Sequence, residues 1–152
     1  MSLLSTANAV ERTVARVLPY AVVSLALRLA LAIPFWLSGL TKWGGFLKLS
    51  DTPLILFRDE FKLHVLGKAY DYPLPVVAAW GSSIAEIVLP VLLVLGLGTR
   101  AAAAVLFAFN IVAVLSYPDL TEVGLKDHQT WGLLLLVTLL HGPGALSLDR
   151  LL

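Results

Sequence analysis

The sequence predicts an all-α integral membrane protein, an antiparallel four-helix bundle with an amphipathic segment in its long first loop. Three observations predict it. Apolar residues make up 59% of the 152 positions and charged residues only 14%, against about 25% charged in an ordinary soluble domain. Such a chain has too few polar residues to coat four helices in water. The apolar residues gather into four successive stretches, and turns rich in glycine and proline separate the later ones. Short connections make neighbouring helices antiparallel. The length suits one domain, residues 1–152.

The spans fall at about 18–41, 74–97, 100–117 and 125–141, each near the roughly 17–25 residues that cross a hydrocarbon core. Backbone groups in lipid must be bonded within their own segment, so each stretch is a helix. Gly96-Leu97-Gly98-Thr99-Arg100 turns the second span into the third. Tyr117-Pro118-Asp119 closes the third, and Gly142-Pro143-Gly144 stops the fourth. Arg12 and Arg16 precede the first apolar run in the manner of a secretory signal. That run exceeds the 7–15 residues of a signal core and contains Arg28, so it reads as a retained span. Ala7, Val10, Val14 and Val17 share a face ahead of it, which suggests an amphipathic extension.

The loop of about 42–73 differs in character. Thr52 offers a helix N-cap with Pro53 at the first helical position. Leu54, Phe57 and Phe61 then recur at helical spacing between Arg58, Asp59 and Lys62. The pattern suits a helix at the membrane interface or a cap over the mouth of the bundle. This loop is rich in acids, whereas Arg100 sits in the shortest turn. The positive-inside rule therefore puts both termini in the cytoplasm.

Charge and motif content exclude several functions. Eleven Lys and Arg balance ten Asp and Glu, which leaves no electrostatic footprint for nucleic acid. The absence of cysteine removes disulfides, thiolate metal sites, iron–sulfur ligation and any thiol chemistry of the chain itself. No P-loop, dinucleotide fingerprint, zinc-protease helix or nucleophile elbow is present. No metal and no covalently bound cofactor is expected. His128 and His141 would stand about 20 Å apart on one helix, too far to share a haem.

Ionisable groups inside a span are costly and mark functional candidates. Glu86 lies about ten residues, or roughly 15 Å, into its helix from the Gly96–Gly98 turn. Asn110 has a similar depth on the next helix, so the two share a level near the midplane where they could meet. Ala78, Ser82, Glu86 and Pro90 form a stripe of mostly small residues, which faces Glu86 into the bundle. Arg28, Phe35 and Lys42 share a face of the first helix, and Trp131 and Thr138 lie beside His128 and Leu135 on the fourth. These positions outline a polar pocket on the long-loop side. Glu86 and His128 are its proton-handling pair, because a buried carboxyl and an imidazole exchange protons near neutral pH. Lys42, Ser82, Asn110, Trp131 and Arg28 line it. Two structural alternatives stand beside this reading: Glu86 bonded to Asn110 or Ser83 to fix helix register, and Arg28 reaching to the headgroups.

The same residues resemble the DoxX family of small four-span membrane proteins. The resemblance lies in Leu27-Arg28-Leu29-Ala30-Leu31, Phe35 and Ser38-Gly39-Leu40-Thr41-Lys42; in Ala79, Glu86-Ile87-Val88-Leu89-Pro90 and Leu93 to Arg100; and in the His128 region, Trp131 and the ending from Gly142 to Arg150. It covers about residues 20–152. It implies a multi-pass protein of a bacterial or archaeal inner membrane with cytoplasmic termini. Related chains include a subunit of an archaeal thiosulfate:quinone oxidoreductase and part of a mycobacterial complex linked to thiol homeostasis and oxidative stress. The implied function is a membrane subunit of a quinone-linked oxidoreductase, with quinone as its possible ligand. The lipid bilayer and a redox partner that brings the sulfur are the implied partners. A membrane scaffold that docks a soluble enzyme through Lys48–Tyr70 is the alternative, and a small transporter a third reading.

Overall fold

The computed structural model describes residues 19–117 and 120–152. The expected N-terminal amphipathic extension and the Pro118-Asp119 pair lie outside the described residues. Four long helices follow one another: α1 (Tyr20–Leu40), α3 (Pro75–Leu95), α4 (Thr99–Ser116) and α5 (Glu122–His141). The short α2 (Asp51–Ile55) lies in the first loop. Helices α1, α3 and α4 are long and apolar enough to cross a membrane. Helix α5 matches them in length, but Glu122, Lys126 and Asp127 make its first turns polar. Its N-cap is Thr121, whose hydroxyl accepts from the Gly124 N–H at 3.1 Å, so the fourth helix starts three residues before the expected position.

Contacts along the helices show the antiparallel order. Gly39 of α1 faces Glu86 of α3, while Arg28, lower on α1, bonds to Leu93 and Val94. Asn110 of α4 meets His128 of α5, and Arg100 meets Leu140. Phe35 packs on both Phe109 and Trp131. The core between these helices is built from Leu31, Phe35, Leu93, Ala102, Ala103, Leu106 and Leu135. Large apolar side chains such as Ile33, Leu37, Val77 and Leu133 point outward, as a bundle solvated by lipid requires.

One end of the bundle is closed by polar ties. Tyr20 Oη and Ser24 Oγ donate to the Gly142 carbonyl at 2.8 and 3.2 Å. Arg28, fully buried, donates from Nη1 to Leu93 O and Val94 O and from Nη2 to Leu146 O. It thereby caps the last carbonyls of α3, which have no partner inside their own helix. The Asp149 carboxylate accepts from the N–H groups of Gly98 and Thr99 at 2.6 and 2.9 Å, so the C-terminal segment caps α4 from a distance. Burial would raise the Asp149 pKa, yet it lies below the ordinary value because those two N–H groups and Arg28 favour the charged form. Gly96 sits at φ 68° in this turn, where a Cβ would stand 2.5 Å from both Arg28 and Ser147.

The other end carries the first loop, and here the structure departs from the expected helix in two ways. Two small antiparallel hairpins flank α2: β1 (Trp43–Gly45) with β2 (Lys48–Leu49), and β3 (Lys62–Val65) with β4 (Lys68–Asp71). Helix α2 begins at Asp51, with Ser50 rather than Thr52 in the N-cap position. Ser50 N and Oγ both donate to the Lys42 carbonyl, at 2.9 and 3.1 Å, which closes β1–β2 and turns the chain into the helix earlier. Pro53 then falls at the third helical position, still among the first N–H groups that lack a helical acceptor. From Leu56 to Glu60 the helix widens to a π turn, closed by Phe61 N to Leu56 O at 2.7 Å. Phe57, Phe61 and Leu49 pack on Ala79 near the start of α3. The segment is a cap folded over the mouth of the bundle.

Candidate functional site

The mouth is shaped by unequal helix lengths. Helix α1 ends at Leu40, one residue past Gly39, whereas α3 continues beyond Glu86 to Pro75. Glu86 is thus central in its own helix but about one turn inside the mouth when measured on α1. Gly39 permits this contact: a Cβ there would stand 2.9 Å from the Glu86 carbonyl oxygen. That carbonyl has no helical donor, because Pro90, four residues on, lacks an N–H.

Lys42, just past α1, folds back into this gap. Its ammonium donates to the Glu86 carboxylate and, at 3.1 Å, to Ser38 Oγ. The side chains are 11% and 6% exposed, so the ion pair is largely withdrawn from water. The meeting of Glu86 with Asn110 that a shared depth would allow does not occur, nor does the alternative bond to Ser83. Ser82 and Ser83 instead donate to the Ala79 carbonyl at 3.0 and 2.7 Å, the back-bonding common to helical serines. Trp43 packs edge-on to Trp80, with ring centroids 5.9 Å apart. Its buried Nε1 has no acceptor among the described residues.

Asn110 forms a second cluster with His128. Asn110 Nδ2 donates to the His128 backbone carbonyl at 2.9 Å, and Asn110 Oδ1 lies 2.7 Å from His128 Nδ1. Since the amide nitrogen is committed to the carbonyl, Oδ1 must accept, and the ring proton belongs on Nδ1. The neutral imidazole therefore offers a bare Nε2, a hydrogen-bond acceptor and base. The ring is held edge-on to Trp131 at 4.9 Å, and Trp131 contacts Phe35 at 5.9 Å. Gly132 makes room for the amide, as a Cβ there would approach Asn110 Nδ2 to 3.3 Å. Phe35 lies one turn below Ser38 and Gly39 on the buried face of α1, on the side where its ring meets Trp131.

Of the expected pocket residues, Lys42 and Glu86 join directly, and His128, Asn110 and Trp131 join in the neighbouring cluster. Ser82 is turned to its own helix. Arg28 lies at the closed end, where it binds backbone carbonyls, and it neither lines the mouth nor reaches the headgroups. One further group belongs to the site, and a tyrosine stands within electrostatic reach of it. Ser38, part of the Ser38–Lys42 run noted in the sequence, binds the ammonium. Tyr117, just past α4, packs on Phe61 with ring centroids 4.8 Å apart. Its phenol is held above its ordinary pKa by burial and then by the Glu86 carboxylate. In sequence Tyr117 marks only the end of a span, and nothing there connects it with Glu86.

The fold and this buried cation–carboxylate pair define a small helical membrane protein with an ionisable centre at one end of its bundle. The DoxX family model matches residues 23–119, and the chain belongs to the DoxX family. Comparison with curated proteins and with solved structures yields no match. Membership in this family associates the chain with membrane oxidoreductase systems.

Proposed function

We propose that this chain is the membrane subunit of a quinone-linked oxidoreductase of thiol, sulfur or oxidative-stress metabolism. The carrying observation is the buried Lys42–Glu86 pair at the mouth. Taking two charges out of water costs several kcal/mol per ion, and a hydrophobic pair would often stabilise a fold as well or better. A site that keeps such charges at the same end of the bundle as an imidazole whose Nε2 is free among the described residues is suited to moving protons. Reduction of a quinone to a quinol takes up two electrons and two protons. The electrons come from a thiol or thiosulfate donor on a partner, since the chain has no cysteine. Glu86 and His128 supply or relay the protons, and Lys42 neutralises negative charge as it develops on a quinone oxygen.

Two features support a quinone in particular. Trp43 Nε1, without an acceptor among the described residues, is a buried donor on the residue after Lys42, suited to a carbonyl oxygen. An apolar groove of about 340 Å³ lies between α1 and α3, lined by Leu29, Ile33, Trp36, Pro90, Val91 and Val94, and its chemistry suits an isoprenoid tail. In this reading the chain sits in a bacterial or archaeal inner membrane with its termini in the cytoplasm and its mouth on the opposite side.

The test is titration of a short-tailed quinone analogue against native protein and Glu86→Gln in mild detergent. The reading expects saturable binding by the native protein and at least a tenfold loss in the variant. Equal, negligible affinity in both rejects it.

A further inference from the structure

The first loop ends in two hairpin tips built alike. In the first, Phe46-Leu47 leads into Lys48; in the second, Leu66-Gly67 leads into Lys68. Phe46 is 95% exposed, Leu47 72% and Leu66 98%. Leu47 and Leu66 have positive φ, 53° and 51°, a backbone region that asparagine and glycine accept far more readily than leucine. Leu66-Gly67 joins Val65 to Lys68 with both loop residues at positive φ, the two-residue turn for which Asn-Gly is the usual sequence. A tip facing water would gain from that replacement in both conformation and solubility. Both tips forgo it.

The position of the tips fits an apolar layer close at hand. His64 Nδ1 lies 3.1 Å from the Leu115 carbonyl, in the last turn of α4, so β3 is level with the end of a span. Leu66 follows two residues later, at most about 7 Å along the chain. Phe46 stands three residues past Trp43, whose ring is packed on Trp80 of α3, at most about 11 Å along the chain. The headgroup region on each face of a bilayer is roughly 5–7 Å deep. Lys48 and Lys68, both exposed, stand next to the apolar residues, the pairing that places aliphatic groups among acyl chains and ammonium groups at phosphates. The apolar residues are single projections on two separate hairpins. A protein partner would call for a continuous patch.

We propose that Phe46-Leu47 and Leu66 insert into the headgroup layer of the surrounding bilayer, with Lys48 and Lys68 at the lipid phosphates, and so hold the cap over the mouth from two sides. This is independent of the quinone reading, because it concerns lipid contacts of the loop alone.

The chain's lack of cysteine allows unique labelling. Phe46→Cys, Leu66→Cys and, as a control on the exposed π turn, Glu60→Cys are each coupled to an environment-sensitive fluorophore. The full chain is reconstituted in vesicles of phosphatidylcholine and phosphatidylglycerol. The first two side chains are almost wholly exposed, so their replacement leaves the fold intact. The expected result at both tips is at least threefold stronger quenching by a headgroup-attached nitroxide lipid than at position 60, and at least threefold weaker quenching by aqueous iodide. Adding Lys68→Gln should reduce the lipid quenching at position 66. Iodide quenching equal to the control at either tip, or shielding that arises only on addition of a soluble protein, overturns the proposal.

Discussion

The Lys42–Glu86 pair allows a double-mutant cycle whose outcome follows from its geometry. Two unit charges in contact at an effective dielectric of about 20 attract by about 4 kcal/mol. With side-chain exposures of 11% and 6%, little of this is screened by water. Lys42→Met leaves a carboxylate buried without its cation and should cost about 3–5 kcal/mol, the usual penalty for breaking a buried pair from one side. Glu86→Gln should cost less, about 1–3 kcal/mol. The ammonium keeps Ser38 as a partner, and from the end of α1 it can extend toward water. In the double variant neither charge is present, so its cost should fall below that of Lys42→Met alone. Equilibrium unfolding of the four proteins in one mild detergent measures the coupling, expected at about 2–3 kcal/mol. A double variant whose loss equals the sum of the two single losses would show that the residues do not act as a pair, and the argument for a paired ionisable centre fails with it.

Three further predictions concern the surroundings of that centre. Asn110→Leu removes both of its hydrogen bonds to His128 and should cost about 1–3 kcal/mol. Nitrogen NMR of the labelled imidazole should show the Nδ1-protonated tautomer in the native protein and a mixture in the variant; a mixture in both would contradict the assignment. Gly39→Ala drives a Cβ against the Glu86 backbone and should cost about 1–3 kcal/mol, whereas Gly81→Ala, with open space at its Cβ, should be neutral or stabilising by up to about 1 kcal/mol; equal thermal shifts for the two would refute the close contact of α1 and α3. Asp149 has a folded pKa below its unfolded value, so its contribution is complete above the ordinary carboxylate pKa of about 3.9 and is lost as pH falls through the lower folded value. Thermal stability measured from pH 6 to pH 2 should therefore fall less in Asp149→Asn than in the native protein, and parallel curves would show that the cap of α4 does not depend on charge.

The bundle was legible because lipid solvation leaves a coarse signal: long apolar runs, few charges and glycine or proline at the turns. The cap was legible only in part. Phe57 and Phe61 stand out by spacing, but hairpins of two to four residues are too short to show strand alternation, and the Leu66-Gly67 turn lacks the usual asparagine. Within the site, Glu86 and Lys42 are visible as charges in or beside apolar runs, while their pairing is not. Depth counted along α3 alone puts Glu86 at the midplane with Asn110. The offset that places it against Gly39 is a property of how two helices pack, set by a glycine and a proline-freed carbonyl. Arg28 illustrates the converse. Its position inside a span suggests a ligand, yet the carbonyl ends of α3 and the C-terminal segment, distant in sequence, take up its two terminal nitrogens.

The two ends of the bundle satisfy their charges in opposite ways, and this bears on which end the proposed function would use. At the closed end, Arg28 gives both terminal nitrogens to backbone carbonyls, and Asp149 accepts two backbone N–H groups. Backbone partners of this kind cannot change protonation state, and moving them would unwind helix ends. At the mouth, Lys42 and Glu86 bind each other and a single hydroxyl, while His128 is fixed at one nitrogen and free at the other among the described residues. Each of these side chains can gain or lose a proton, or exchange a partner, without breaking secondary structure. Charge that is satisfied by backbone stabilises the fold, and charge that is satisfied by other titratable side chains can respond to a ligand. On that distinction the proposed function belongs at the mouth, beneath the cap, and substitutions at Arg28 should act on stability before they act on quinone binding.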